Sequence, residues 1–242
     1  MNEHIINYNR ANFPHSLCQP KGSFRYGADA LALLEFAKSM KLPPAGKIAD
    51  IGCGCGVLGL GILLKSTSQE SASVIGLDNN LQMLDLAAEN AAALSLPFSP
   101  IAADILQTAQ LKEIKHTYTN GGFDLAVCNP PWRLLQNGRL PPDPGRKNAL
   151  CGDIGTLPMF IAAADYLLQS KGSLLLVCGA ERLPDCLCAL PERMHPVRLR
   201  LVHPTPNAGA VFFLLEARKN SRAKLLVEPP LFLPQNSPPS DF

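Results

Sequence analysis

The sequence predicts an α/β fold: a mostly parallel sheet of seven strands, with helices on both faces and an antiparallel hairpin at its C-terminal edge. Three observations predict it. Short, almost wholly apolar runs alternate with longer segments of helical periodicity, the pattern of strands covered on both faces. The longest apolar runs, residues 172–179 and 210–215, stay at strand length. The last two strand-like runs have no helix between them and so must close on each other directly.

Taken in order, ALALLEFAKSM after Asp29 has helical spacing and is ended by Leu42-Pro43-Pro44. Lys47–Ile51 is a buried strand running straight into glycines, Val57–Lys65 a helix and Ser73–Asp78 a strand. Leu81–Leu94 is an Ala-rich amphipathic helix, Phe98–Ala102 a strand, and Gln107–His116 a weaker helix. Phe123–Cys128 is a buried strand, and the Pro/Gly/Arg-rich residues 133–152 after it are long enough to be a functional loop. Thr156–Gln169 is a helix, Ser173–Cys178 a strand and Glu181–Arg193 a proline-bounded helix. Pro196–His203 and Ala210–Arg218 make the closing hairpin. Residues 219–242, rich in proline, read as a trailing tail.

The 242 residues, 47% hydrophobic, suffice for one domain with a substantial core, expected to span 1–242. Lys and Arg number 22 and Asp and Glu 20, a formal net charge of +2. That balance excludes a polybasic protein binding by bulk charge, though not an enzyme with a local basic site. The opening MNEHIINYNR lacks an apolar core of signal-peptide length, and no run is long and apolar enough to span a membrane. The eight cysteines form no C-x-x-C pair and several sit in apolar runs, so no metal site is expected. A reduced, cytoplasmic chain without a membrane partner is the expectation, with the oligomeric state open.

Asp50-Ile51-Gly52-Cys53-Gly54-Cys55-Gly56 lies between a strand and a helix. Its glycines let the backbone turn sharply and lie close against a ligand. The spacing is G-x-G-x-G, not the G-x-G-x-x-G of a dinucleotide loop, and Asp50 would repel a pyrophosphate. A carboxylate there suits a ligand with an amino group or a sulfonium. The next strands end at Asp78-Asn79, placed for ribose hydroxyls, and Asp104-Ile105, placed for an adenine. Acids at three successive strand ends, where open α/β sheets bind ligands, resemble the S-adenosylmethionine site of Rossmann-like methyltransferases. On that resemblance Asp50, Gly52, Cys53, Gly54, Asp78, Asn79, Asp104 and Ile105 bind S-adenosylmethionine.

Asn129-Pro130-Pro131-Trp132 directly follows a buried strand. The Asn side-chain oxygen and the Pro130 carbonyl can accept from one amino group, and the Trp132 ring can stack on a planar substrate. Two acceptors draw a conjugated amine towards tetrahedral geometry and localise its lone pair, so chemistry becomes positioning and electrostatics. The tetrapeptide resembles the [DN]PP[YFW] motif of amino-group methyltransferases, which act on adenine, guanine or glutamine. It implies catalytic roles for residues 129–132, with Asn129 also beside the cofactor.

Residues 23–34, SFRYGADALALL, resemble the F-x-x-G-T-D-A-x-L-L-A segment of bacterial tRNA adenine-N6 methyltransferases that modify the anticodon loop, with Ala28 where Thr is usual. That segment packs over the cofactor, which implicates Tyr26. His203-Pro204 and Pro229-Pro230-Leu231 echo the same family's end. The resemblance implies S-adenosylmethionine-dependent N-methylation of adenine in tRNA by a core over 46–218, with residues 1–45 over the cofactor site. One departure stands out: Cys151-Gly152-Asp153 follows Arg146 and Ala149 where the family has an A-x-H-E-like element.

Charge by position agrees with a nucleic-acid partner, since residues 1–120 are net −1 and 121–242 net +3. Arg133, Arg139, Arg146 and Lys147 beside Trp132 are candidates for phosphate contact; Arg193, Arg198 and Arg200 form a second group, on or near an expected edge strand, where charges also blunt unwanted pairing. The alternatives are a guanine-N2 or release-factor glutamine methyltransferase, or a non-catalytic S-adenosylmethionine-binding module. A nicotinamide oxidoreductase would need a phosphate loop without Asp50 and a Tyr–Lys pair, which is not found.

Overall fold

The computed structural model describes residues 13–14, 16–19, 26–65, 72–131, 133–134, 151–152 and 155–233. The seven longer strands of its main sheet are β1 (Lys47–Ile51), β2 (Ser73–Asp78), β3 (Phe98–Ala102), β4 (Phe123–Cys128), β7 (Leu168–Gly179), β8 (Met194–His203) and β9 (Phe212–Lys219). Their order is β8-β9-β7-β4-β1-β2-β3. All neighbours are parallel except β9, which runs antiparallel to both β7 and β8. The expected hairpin is therefore present. Strand order reverses at β1 and β4, whose carboxyl ends flank the crevice where such sheets bind ligands.

Strand alternation sorts the core into two layers. Ile48, Val74, Leu125, Val127 and Leu175 face α1 (Ala28–Ala37), α2 (Val57–Lys65) and α3 (Leu81–Leu94). Ala49, Ile51, Ile75, Leu77 and Ala126 face α4 (Thr108–Tyr118) and α5 (Thr156–Leu167). Asn80 caps α3, its Oδ1 accepting from the amides of Gln82 and Met83 at 3.1 and 3.3 Å. Ser95 ends that helix in the left-handed region at φ 51°.

The strand count differs from seven. Leu226–Val227 (β10) and Leu231–Phe232 (β11) pair in parallel with β8, so part of the expected tail is sheet and the main sheet has nine strands. Two-residue strands on either side of Pro229-Pro230 leave no periodicity to detect. A separate parallel ladder joins Arg133–Leu134 (β5) to Cys151–Gly152 (β6), at the two ends of the long loop.

β7 starts at Leu168, five residues before the expected Ser173, because its register shifts against β4 and Lys171 adopts φ 69°. The helix expected over Glu181–Arg193 is a 3-10 turn (Ala180–Arg182) followed by α6 (Leu183–Ala189), with Pro184 in its first turn. Pro196 lies within β8, at a bulge where a missing N–H is tolerated.

The second basic group is used inside the fold. Arg193 Nη2 pairs with Asp165 at 2.5 Å. Arg198 Nε pairs with buried Glu216 at 2.7 Å, its Nη1 with Glu228 at 3.1 Å, and its guanidinium lies 4.1 Å from the Phe36 ring centroid. Arg200 Nε donates to the Pro229 carbonyl. The Arg198 and Arg200 contacts clamp α1 and the β10 region to the sheet, and Arg193 ties α5 to the start of β8.

Candidate active site

The glycine loop is held from below and from the side. The amides of Gly52 and Cys53 both donate to the Leu77 carbonyl of β2, at 2.7 and 3.0 Å. Gly54 N donates to Asp78 Oδ2 at 2.9 Å, while Asp78 Oδ1 accepts from Asn80 N at 2.9 Å. Gly52 and Gly54 have φ of +70° and +52°, where side chains are disfavoured. A Cβ on Gly52 would come 2.8 Å from the Phe160 ring; one on Gly54 would meet nothing within 4 Å. The loop thus turns tightly around an open hollow.

Asp50 lies beneath this loop with no exposed surface. Its Oδ2 accepts from Gly59 N at 2.8 Å, and its Oδ1 has no hydrogen-bond partner among the described residues. Burial pushes its carboxyl up to about 7, against the Gly59 amide; the charge of Asp78 adds to the rise. Cys53 and Cys55 are buried, and burial raises both thiols, Cys55 to about 11, so both stay protonated and act as small hydrophobes.

A cleft opens above the loop, lined by Tyr26, Ala30, Gly52, Cys53, Gly54, Cys55, Val57, Leu58, Met83 and Asn129. Tyr26 is fixed through its amide, which donates to Gln19 Oε1 at 3.2 Å. Asn129, half-buried at the end of β4, donates from Nδ2 to Asp29 Oδ2 at 2.9 Å. Pro130 is buried behind it. Asn79 is exposed beside Asp78. Asp104 and Ile105 stand after β3 on the same sheet edge; Asp104 Oδ1 accepts from Leu106 N at 2.9 Å, and Ile105 packs on the α4–α5 layer. The predicted carboxyl-end residues are therefore gathered along one edge, with Asp50 under the loop instead of facing the cleft. Trp132, Arg139, Arg146 and Lys147 lie outside the described residues, and Arg133 is described only as backbone in β5.

Four contributors are missing from the sequence reading. Phe160 covers Gly52, and Met83 lines the cleft. Asn90 in α3, fully buried, accepts from Cys18 N at 2.7 Å and donates to the carbonyls of Cys18 and Cys55 at 3.1 and 3.0 Å. It joins the glycine loop's exit to the N-terminal segment. An Asn in an Ala-rich helix carries no signal of this. Asp29 was visible only as part of the segment over the cofactor.

A larger cavity of about 720 Å³ sits at the opposite end of the strands, bounded by residues 39–43 and 169–173. Arg198 in its wall pairs with both Glu216 and Glu228. Among the described residues, no group of three or more His, Cys, Asp or Glu could hold a metal ion, and no helix is long and apolar enough to cross a membrane.

The hollow at Gly54, the unpartnered buried oxygen of Asp50 and the row of carboxylates fit a ligand with a flat base, ribose hydroxyls and a cationic end. Comparisons with known proteins agree. Residues 24–140 match the model of the methyltransferase small domain. A tRNA1(Val) (adenine(37)-N6)-methyltransferase of Parabacteroides distasonis is 28% identical over 207 residues, covering 84% of this chain and 81% of the relative. One of the same name from Aeromonas hydrophila is 30% identical over 168 residues, covering 69% of this chain and 64% of the relative. The crystal structure of a predicted O-methyltransferase from Agrobacterium tumefaciens superposes with a TM-score of 0.61 at 22% identity, covering 83% of this chain and 86% of that one.

Proposed function

We propose that the chain, whose residues 24–140 match the methyltransferase small domain, is an S-adenosylmethionine-dependent methyltransferase that methylates the exocyclic N6 amine of an adenine in RNA, with the anticodon-loop region of a tRNA as the foremost target. The observation that carries this reading is Asn129-Pro130-Pro131 at the end of β4, with Asn129 on the wall of the cofactor cleft.

Bound S-adenosylmethionine supplies an electrophilic methyl group on sulfur. Around it, Gly52, Cys53 and Gly54 would give the backbone cradle, Tyr26 a wall, Asp78 with Asn79 the ribose contacts, and Asp104 with Ile105 the base contacts. Asp50, buried beneath the loop with its carboxyl raised to about 7, would favour the cationic end in its ionised form. Asn129 Oδ1 and the Pro130 carbonyl would accept the two hydrogens of the acceptor amine and turn its lone pair towards the cleft. Pro131 stiffens the turn, and Trp132 would stack on the base. Arg133, Arg139, Arg146 and Lys147 would hold flanking phosphates. The names of the two curated relatives support the RNA adenine acceptor.

The test is incubation of the protein with isotope-labelled S-adenosylmethionine and bulk tRNA, rRNA or protein, then mass spectrometry of the digests. Label in N6-methyladenosine from tRNA is expected, and Asn129→Ala should abolish it while leaving cofactor affinity within a few-fold. Label in N2-methylguanosine or methylglutamine would overturn the acceptor.

A further inference from the structure

An asparagine amide can stand either way round at almost no steric cost, and only one way serves an amine acceptor: Oδ1 towards the amine, since Nδ2 would set donor against donor. In this chain Asn129 Nδ2 lies 2.9 Å from Asp29 Oδ2. An ionised carboxylate only accepts, so it fixes Nδ2 on its own side and turns Oδ1 the other way. The carboxylate is itself pinned, because Asp29 Oδ1 accepts from Ala30 N at 2.8 Å. Gly27 leaves it room: a Cβ there would come within 2.8 Å of that oxygen. Asp29 stands in the first turn of α1, which is anchored by buried Leu33, Leu34 and Phe36.

We propose that Asp29 is the positioning residue for methyl transfer: it sets the orientation of the Asn129 amide and polarises it, so that Oδ1 faces the acceptor with added negative charge. The inference rests on the reading of Asn129 as the amine acceptor's partner. As the amine nitrogen gains positive charge in the transition state, a more negative Oδ1 binds it more tightly there than in the ground state. The effect should therefore fall on kcat and spare KM.

The test is a double-mutant cycle at the pair. Asp29→Asn is nearly isosteric and removes the acceptor-only partner. It should lower kcat by about 10- to 100-fold, with KM for the RNA and calorimetric affinity for S-adenosylhomocysteine within about threefold. Asn129→Asp alone sets two carboxylates together and should be worse. The reciprocal double substitution, Asp29→Asn with Asn129→Asp, restores a donor–acceptor pair and leaves a carboxylate oxygen for the amine. It should recover at least about tenfold over Asn129→Asp. Independently of turnover, the side-chain amide proton of Asn129 that bonds the carboxylate should resonate downfield in the wild-type protein, and move upfield in Asp29→Asn.

An unchanged kcat in Asp29→Asn, or a double variant no better than Asn129→Asp, overturns the proposal. Variants that keep S-adenosylhomocysteine binding are folded, so these outcomes are decisive. If wild-type protein labels guanine or glutamine instead, the adenine reading falls. The cycle is then run on that acceptor, and the amide resonance judges the pair regardless.

Discussion

The amide of Gly54 donates to Asp78 Oδ2 at 2.9 Å, so the carboxylate that ends β2 also closes the glycine loop that follows β1. The same side chain that we propose for the ribose hydroxyls therefore also shapes the glycine loop. Asp78→Ala should weaken S-adenosylmethionine binding at least tenfold, about 1.4 kcal/mol, in isothermal titration. Asp78→Asn keeps an oxygen for Gly54 N and should fall between wild type and Ala. Equal affinity in all three would remove Asp78 from the site.

Asp50 sets a pH dependence of known sign. Burial raises its carboxyl from the ordinary 3.8 to about 7, so the protonated form is the one the folded state favours. Its contribution to stability is fully present below the unfolded value and is lost as pH rises through about 7. Denaturant titrations should show stability falling across that interval, on the order of a few kcal/mol at most, and Asp50→Asn should flatten the fall.

Two glycines, Gly59 inside α2 and Gly54 in the loop before it, should separate folding from binding. A Cβ on Gly59 would come 2.7 Å from Val74 Cγ1 and from the Phe98 ring, and 3.0 Å from Asp50 Oδ2, so Gly59→Ala should cost about 1–3 kcal/mol of stability. Gly54→Ala meets nothing within 4 Å and bears only the strain of φ +52°, on the order of 1 kcal/mol. Its loss should instead appear as weakened cofactor binding, because the methyl group enters the hollow. Thermal unfolding and calorimetry on both variants check the contrast.

The clamp around Arg198 predicts an opposite pH effect. Glu216 is buried, which pushes its carboxyl up, but hydrogen bonds from Arg218 and Arg198 and their charges outweigh this and hold it low. Its contribution is present above the ordinary Glu range and lost as pH falls through the depressed value. Arg198→Met should destabilise the fold by about 2–4 kcal/mol, since Glu216 keeps the more exposed Arg218 but loses its better shielded partner. Chemical denaturation at pH 7 measures it.

The parallel core was legible because its strands are buried on both faces and read as unbroken apolar runs, each ended by a glycine, an acid or a proline. The glycine loop and Asn129-Pro130-Pro131 stood out for a different reason, since paired prolines and closely spaced glycines at strand ends are residue types that packing does not require. β10 and β11 were not, because two residues carry no period and their pairing is set by the open side of β8. The roles of Asn90 and Phe160 depend on contacts with Cys18, Cys55 and Gly52 that are distant in sequence. The ion pairs of Arg193, Arg198 and Arg200 were not legible for a related reason: sequence shows the cations but not Asp165, Glu216 and Glu228 folded against them.

The most direct measurement uses two RNA hairpins of tRNA anticodon-arm sequence, identical except that a single loop adenine in one is inosine in the other. The adenine hairpin presents an exocyclic amine, and the inosine hairpin a carbonyl oxygen at the same place. With labelled S-adenosylmethionine, wild-type protein should label the adenine hairpin alone, and Asn129→Ala neither. Equal labelling of both hairpins, or an unlabelled adenine hairpin under conditions where the protein methylates guanine or a polypeptide, would contradict transfer to the adenine amine.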